Sequence, residues 1–190
     1  MRDEKGQAGV PARAGAATLS PVQSQASSAD TVVESRLSLF QRVAVRAFHL
    51  WFLLTRGMTL GVRVMVLDDQ ARVFLVRHTY VPGWYLPGGG VEIGQDMRAA
   101  IAMELSEEGN IVLEGEPKLF GLYHNARVSR RDHVALYVVR DFRQTAPRVP
   151  DKEIAEAGFF PLDALPEGTT QATRRRISEV LGGVSPTALW

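Results

Sequence analysis

The sequence predicts an α+β fold in which a mixed β-sheet is layered with helices and preceded by a separate amphipathic helix. Three observations lead there. Apolar residues first recur at three- and four-residue steps, at Phe40, Val43, Ala44, Ala47, Leu50, Trp51 and Leu54, the period of one helical face. The pattern then switches to alternation, with Val62, Val64 and Val66 on one side, the period of a strand. After that, strands and helices follow one another without a regular βαβ repeat, as in a mixed-sheet layered domain.

Residues 1–34 have few large apolar side chains and no usable period, so a disordered tail is expected there. Arg2 and Arg13 give it some likeness to a transit peptide, but Asp3 and Glu4 oppose that reading. No charged-then-apolar leader pattern occurs, and a cytoplasmic location is expected. The amphipathic helix occupies 35–57 and stops near Gly57. It carries Arg36, Arg42, Arg46 and Arg56, with no acidic residue between Glu34 and Asp68. Its apolar stripe suits docking on its own domain or on a second subunit, as in a homodimer. Contact with an anionic membrane surface is the less favoured alternative.

The main domain is expected over 58–182. Gly61–Leu67 reads as a strand, Asp68-Asp69-Gln70 as a turn, and Arg72–Arg77 as the returning strand. Trp84-Tyr85-Leu86 is a short strand running into glycines. The next helix starts at Asp96, a fitting N-cap, and runs to Glu108, burying Met97, Ala100, Ile101 and Leu105. Lys118–His124, His133–Arg140 and Ala157–Phe160 read as strands, with a loop at Pro147–Lys152. Thr170–Leu181 is a closing helix with a basic Arg174-Arg175-Arg176 face, followed by a tail at 183–190.

Composition narrows the chemistry. The 190 residues carry a formal charge of +1, so no strong field calls for nucleic acid as a partner. The chain has no Cys, which excludes disulfides and thiolate metal sites. Any metal must be held by oxygen or imidazole, and oxygen ligands favour Mg2+ or Mn2+. No stretch reaches the roughly 18 apolar residues of a membrane span.

Pro87-Gly88-Gly89-Gly90 cannot be the middle of a strand, because successive glycines free the backbone for positive φ and close approach. On the helix that follows, Glu104, Glu107 and Glu108 stand at i, i+3 and i+4, which puts the three carboxylates on one face. Like charges so placed destabilise an isolated helix by roughly a few tenths of a kcal/mol per pair. Solvent relieves that cost on a plain surface helix; a divalent cation relieves it at a binding site. A backbone carbonyl from the glycine turn would complete an oxygen shell.

This stretch, Leu86 to Ile111, resembles the box of the Nudix hydrolase family. That box has, at fixed spacing, a glycine, a glutamate, an arginine-glutamate pair, an aliphatic residue, a glutamate pair, a glycine and an aliphatic residue. Here the positions are held by Gly89, Gln95, Met103, Glu104, Leu105, Glu107, Glu108, Asn110 and Ile111. Gln95, Met103 and Asn110 depart from the pattern. In the family, the glutamate and arginine at the first two positions form an ion pair that braces the loop against the helix. Losing one partner of a partly buried pair costs about 3–5 kcal/mol, whereas replacing both by neutral groups often costs little. Gln95 with Met103 therefore reads as a swapped brace. Asn110 tolerates the left-handed conformation needed after a helix, and Gly109 is the alternative for that role.

The resemblance implies a Nudix-type α/β/α sandwich around the mixed sheet and a Mg2+-dependent hydrolase, with Mn2+ as the alternative ion. It implies Glu108 as the main metal ligand, with Glu104 and Glu107 completing the cluster and one of them activating water. The Gly88 carbonyl resembles the family's backbone ligand. A late acidic ligand is assigned to Glu153, with Glu156 second. The implied substrate is a small nucleoside diphosphate linked to a further group. Arg77 is the candidate phosphate contact and Tyr85 the candidate base contact. His78, His124 and His133 read as non-catalytic, and Arg127, Arg130 and Arg131 as a solvated loop tip. The reading from another class is a non-catalytic nucleotide-binding or sensor module on the same fold.

Overall fold

The structure is a computed structural model that describes residues 39–190. The tail expected over 1–34 and the first residues of the amphipathic helix lie outside the described residues. The chain divides into two compact units, 1–51 and 52–190. Helix α1 (Leu39–Arg56) belongs mostly to the first. The second holds β1 (Thr59–Val66), β2 (Arg72–His78), α2 (Met97–Gly109), β3 (Ile111–Leu113) and β4 (Lys118–His124). After these come β5 (Asp132–Val139), β6 (Phe142–Gln144), β7 (Ile154–Pro161) and α3 (Gln171–Gly182).

The sheet is mixed, as the sequence predicts. β1 runs parallel to β5, with Thr59 opposite Asp132, and β4 pairs antiparallel on the far edge of β5. β2 pairs antiparallel with β7, and the short β3 with β6. The turn after β1 forms as expected, with Asp68 Oδ1 accepting from the backbone N–H groups of Gln70 and Arg72. The strand that follows does not return along β1, however. β1 and β2 do not pair, and the bridge between Leu67 and Val73 lies just past the end of β1. Both edges of β1 are already taken. β5 holds one, and the glycine turn holds the other through Val62 N–H to Gly89 O (2.8 Å) and Val64 N–H to Pro87 O (2.9 Å).

Trp84-Tyr85-Leu86 is likewise not a regular strand. It makes isolated bridges, Val76 with Tyr85 and Trp84 with Thr169. β3 and β6 are strands the sequence does not announce, because three residues are too few to display a period. The last strand starts earlier than its apolar run, at Ile154.

The last residues of β1 and most of β2 are buried on both faces, which is what a sandwiched sheet requires. Val62, Val64, Val66, Phe74 and Val76 pack with Ala100, Ile101 and Leu105 of α2. Met65, Leu67, Val73 and Leu75 pack on the other side with Trp84, Leu86, Leu136 and Ile177 of α3. Helix α2 is capped as the sequence suggests, and α3, expected to begin at Thr170, is instead capped by it. Asp96 accepts from Ala99 N–H, Asn110 takes φ 53° after α2, and Thr170 caps α3. One expectation is corrected here. Arg176 is not part of an exposed basic face; it is fully buried and paired with Glu179 at 2.7 Å. Among the described residues no helix is long and apolar enough to cross a membrane.

Candidate active site

The glycine turn is fixed to β1 by the carbonyls of Pro87 and Gly89. Between them, the Gly88 N–H donates to Glu108 Oε2 at 2.7 Å. The Gly88 carbonyl accepts no hydrogen bond from any described residue. Gly88 has φ 135°, and a Cβ there would collide with the Val62 carbonyl oxygen. A Cβ at Gly89 would run into the Glu104 carboxylate. The two glycines thus let the turn lie flat between β1 and the acidic face of α2.

Glu104, Glu107 and Glu108 all line one cavity of about 660 Å³, together with Arg63, His78, Tyr80, Gly88, Arg148, Asp151 and Glu153. Glu108 is buried and Glu107 exposed. Burial pushes the Glu108 carboxyl up to about 7, although the Gly88 N–H and Arg63 pull the other way; Glu104 and Glu107 add to the rise. Glu104 is also raised, again by burial first, with Arg63 opposing and Glu107 and Glu153 reinforcing. His78 Nε2 lies 3.5 Å from Glu108 Oε1. Burial lowers the His78 pKa, with Arg63 acting in the same direction. The contact is therefore one of a neutral imidazole at neutral pH. Its Nδ1 is buried without a partner.

The other residues singled out by the sequence fall in different places. Glu153 lines the acidic cavity, whereas Glu156 does not. Its loop is held by Asp151, which accepts from the N–H groups of Glu153 and Ile154 and pairs with Arg148. Those bonds lower the Asp151 pKa to about 2. Arg77 is not brought to the glutamates. It pairs with Glu156 at 2.9 Å and lies over the Trp84 ring. Tyr85 lines a second cavity of about 690 Å³, beside Leu60, Leu86, Asn125, Arg127 and Trp190. Arg63 and Gly89 border both cavities, and Arg63 Nη1 bonds the Leu86 carbonyl at 3.0 Å.

Arg63 is the residue the sequence reading misses. It sits on the mostly apolar β1, where only its alternation against Val62 and Val64 sets it apart. Arg148 and Asp151 are also missed, since nothing in their spacing ties them to α2, and His78, which the sequence reads as non-catalytic, lines the same cavity.

The swapped brace is present. Gln95 Nε2 lies 3.7 Å from Met103 Sδ, and Gln95 Oε1 accepts from Glu92 N–H at 3.0 Å. A neutral contact thus stands where an ion pair is expected in the family. Met103→Arg alone should place an unpaired charge there and lower stability by about 1–3 kcal/mol. Adding Gln95→Glu should recover at least about 1 kcal/mol of this as coupling. Urea denaturation of the two single variants and the double variant reads that coupling directly; additive losses would refute it.

Residues 57–181 match the family model for the Nudix domain. A solved MutT Nudix hydrolase from Burkholderia pseudomallei is 28% identical, with a TM-score of 0.56, over 65% of this chain and 98% of that one. A Bacillus subtilis (strain 168) protein provisionally assigned as an 8-oxo-dGTP diphosphatase is 32% identical over 40% of this chain and 50% of that protein. An RNA pyrophosphohydrolase of Methylococcus capsulatus is 36% identical over 27% of each chain. The chain therefore spans half the length of the first of these curated relatives and about a quarter of the second. With the family model matched over most of its length, and a box-like stretch folded as a glycine turn against an acidic helix, the chain belongs to the Nudix hydrolase family.

Proposed function

We propose that this protein hydrolyses a phosphoanhydride bond in a nucleoside diphosphate linked to a further group, with Mg2+ or Mn2+ as cofactor. The observation that carries the reading is the junction of two cavities. One is acidic and holds Glu104, Glu107, Glu108 and Glu153. The other is more apolar and contains Tyr85 and Leu86. Arg63 stands on their shared border, where a diphosphate joining a nucleoside to its reacting end would pass.

The donor set suits a hard divalent ion, since it is all oxygen. Glu108, Glu104, Glu107, Glu153 and the Gly88 carbonyl would hold it. Two features fit this role: the unengaged Gly88 carbonyl, and a Glu108 carboxylate whose burial has no full counter-charge. Among the described residues no three acidic or imidazole side chains converge as they stand. When bound, such an ion neutralises phosphate oxygens and acidifies water.

The protein's own groups do the rest. Arg63 holds the phosphates by charge-assisted hydrogen bonds. Glu104 or Glu107 accepts the proton of the attacking water. The products would be a nucleoside monophosphate and the phosphorylated group, or phosphate from a triphosphate.

The test is a magnesium-dependent hydrolysis screen over nucleoside diphosphate derivatives and nucleoside triphosphates, read by chromatographic separation of the nucleotide products. A 5′-triphosphorylated oligonucleotide belongs in it because of the RNA pyrophosphohydrolase relative. Turnover on at least one small nucleotide is expected. Saturable binding without turnover on any of them would overturn the enzyme reading in favour of a sensor. On the substrate so found, Arg63→Ala should raise KM by about 10–100-fold, read from initial rates. An unchanged KM would remove Arg63 from the phosphate site.

A further inference from the structure

Residues 183–189 are exposed, yet Trp190, next in the chain, is half-buried. What holds it is a small built structure. Ala188 O accepts from His124 N–H at 2.9 Å, and Trp190 N–H donates to His124 O at 3.1 Å. The segment thereby lies beside β4 as a short parallel strap. Beneath it sits the buried pair of Arg176 and Glu179 on α3. Arg176 donates to Thr187 Oγ1 at 3.1 Å and to the Leu189 carbonyl at 3.2 Å. Glu179 Oε1 accepts from the Thr187 N–H at 3.3 Å. The Arg176 guanidinium lies 4.1 Å from the Tyr123 ring centroid and 5.3 Å from that of Trp190.

This arrangement is costly for mere packing. A buried ion pair gives little net stability over apolar residues of the same volume, though it can fix a unique geometry. Arg176 Nε is, moreover, left without a partner. What the strap positions is Trp190, whose ring packs edge-on against Tyr123 and which borders the larger cavity. Trp190 lines it together with Tyr85, Leu86, Val134, Asn125 and Arg127. At about 690 Å³, this cavity lies within the range of small-ligand sites. Its wall combines flat apolar surface with a few polar groups, which is the chemistry that recognises a nucleobase.

We propose that Trp190, held by the strap that Arg176 and Glu179 clamp against β4, is a specificity-determining residue that contacts the nucleobase of the substrate. The inference rests on the function proposed above for the neighbouring acidic cavity, but it is read out by binding and not by turnover. The phosphates belong to Arg63 and the acidic cavity, the base to Trp190. Substituting the ring should then weaken ligands that carry a base and spare those that do not.

The experiment compares the full chain with its Trp190→Ala and Trp190→Phe variants by calorimetric titration in Mg2+. The probes are ADP, GDP and UDP, with inorganic tripolyphosphate as the base-free control. Circular dichroism melting checks that the variants are folded. Trp190→Ala should weaken nucleoside diphosphate binding about tenfold, leave tripolyphosphate binding unchanged, and be largely rescued in Trp190→Phe. Nucleotide binding as tight as in the wild type would overturn the proposal. So would an equal loss for tripolyphosphate, which would mark a structural role. Wild-type protein that binds none of the three nucleotides would overturn it as well. Nucleotide binding without turnover in the screen would sink the hydrolase reading and leave the Trp190 assignment standing.

Discussion

Glu108→Gln should reduce magnesium-dependent turnover by on the order of 10³-fold, since a lost ligand forfeits several kcal/mol of charge stabilisation. It should do so without unfolding the protein, because an amide oxygen can still accept the Gly88 N–H. The same variant carries a second signature. Burial lifts the Glu108 carboxyl from 4.5 to about 7. A raised carboxyl pKa means that the folded protein binds more protons than the unfolded chain between those values. Metal-free stability attributable to this group is therefore full below about pH 4.5 and falls as pH rises toward 7. The total is roughly 3 kcal/mol. At pH 8 in EDTA, Glu108→Gln should thus melt higher than the wild type, whereas at pH 4.5 the two should be close. Adding Mg2+ should raise the wild-type melting temperature and leave the variant's unchanged. Wild-type turnover in the variant would refute the ligand assignment, and a lower melting temperature at pH 8 would refute the burial argument.

Gly88→Ala should be the most damaging single change to the turn. Its φ of 135° is strained for any L-residue, and the new Cβ would collide with the Val62 carbonyl, with Arg63 Cα at 3.0 Å. Backbone strain and overpacking together should cost roughly 3–5 kcal/mol. Because β5 is bonded along the other edge of β1, the strand cannot retreat to make room. Urea unfolding should show a lowered midpoint at unchanged slope, with turnover lost even in the fraction that remains folded. By contrast, Gly90 has nothing within 4 Å of a Cβ position, so Gly90→Ala is the matched control. Equal stability of the two variants would refute the close-approach account.

What the sequence discloses and what it withholds follow from the range of the interactions. The Glu104, Glu107 and Glu108 face is legible because helical spacing alone places it. The Asp96 and Asn110 caps are legible because their chemistry is local. The neutral Gln95 and Met103 contact could be reasoned out because both replacements fall within one box. Arg63 and His78 are not legible, since they reach the glutamates through pairing with partners far along the chain. Arg77 shows the converse error. It stands close to the glycine turn in sequence, but the register of β2 against β7 sets it opposite Glu156. Strand pairing is hidden for the same reason: a tight turn after β1 suits a returning strand, and nothing local reveals that the edge is already occupied.

That occupied edge has a meaning beyond catalysis. Six of the eight residues of β1 are Thr, Leu, Val or Met, and its free backbone groups would be a template for another chain. The glycine turn covers them by giving up two of its own carbonyls. The element that positions Glu108 is therefore also the cover of an aggregation-prone strand. Divergence of the turn is constrained twice over, by chemistry and by solubility. A chain that lost Glu104, Glu107 and Glu108 would still have reason to keep Pro87, Gly88 and Gly89.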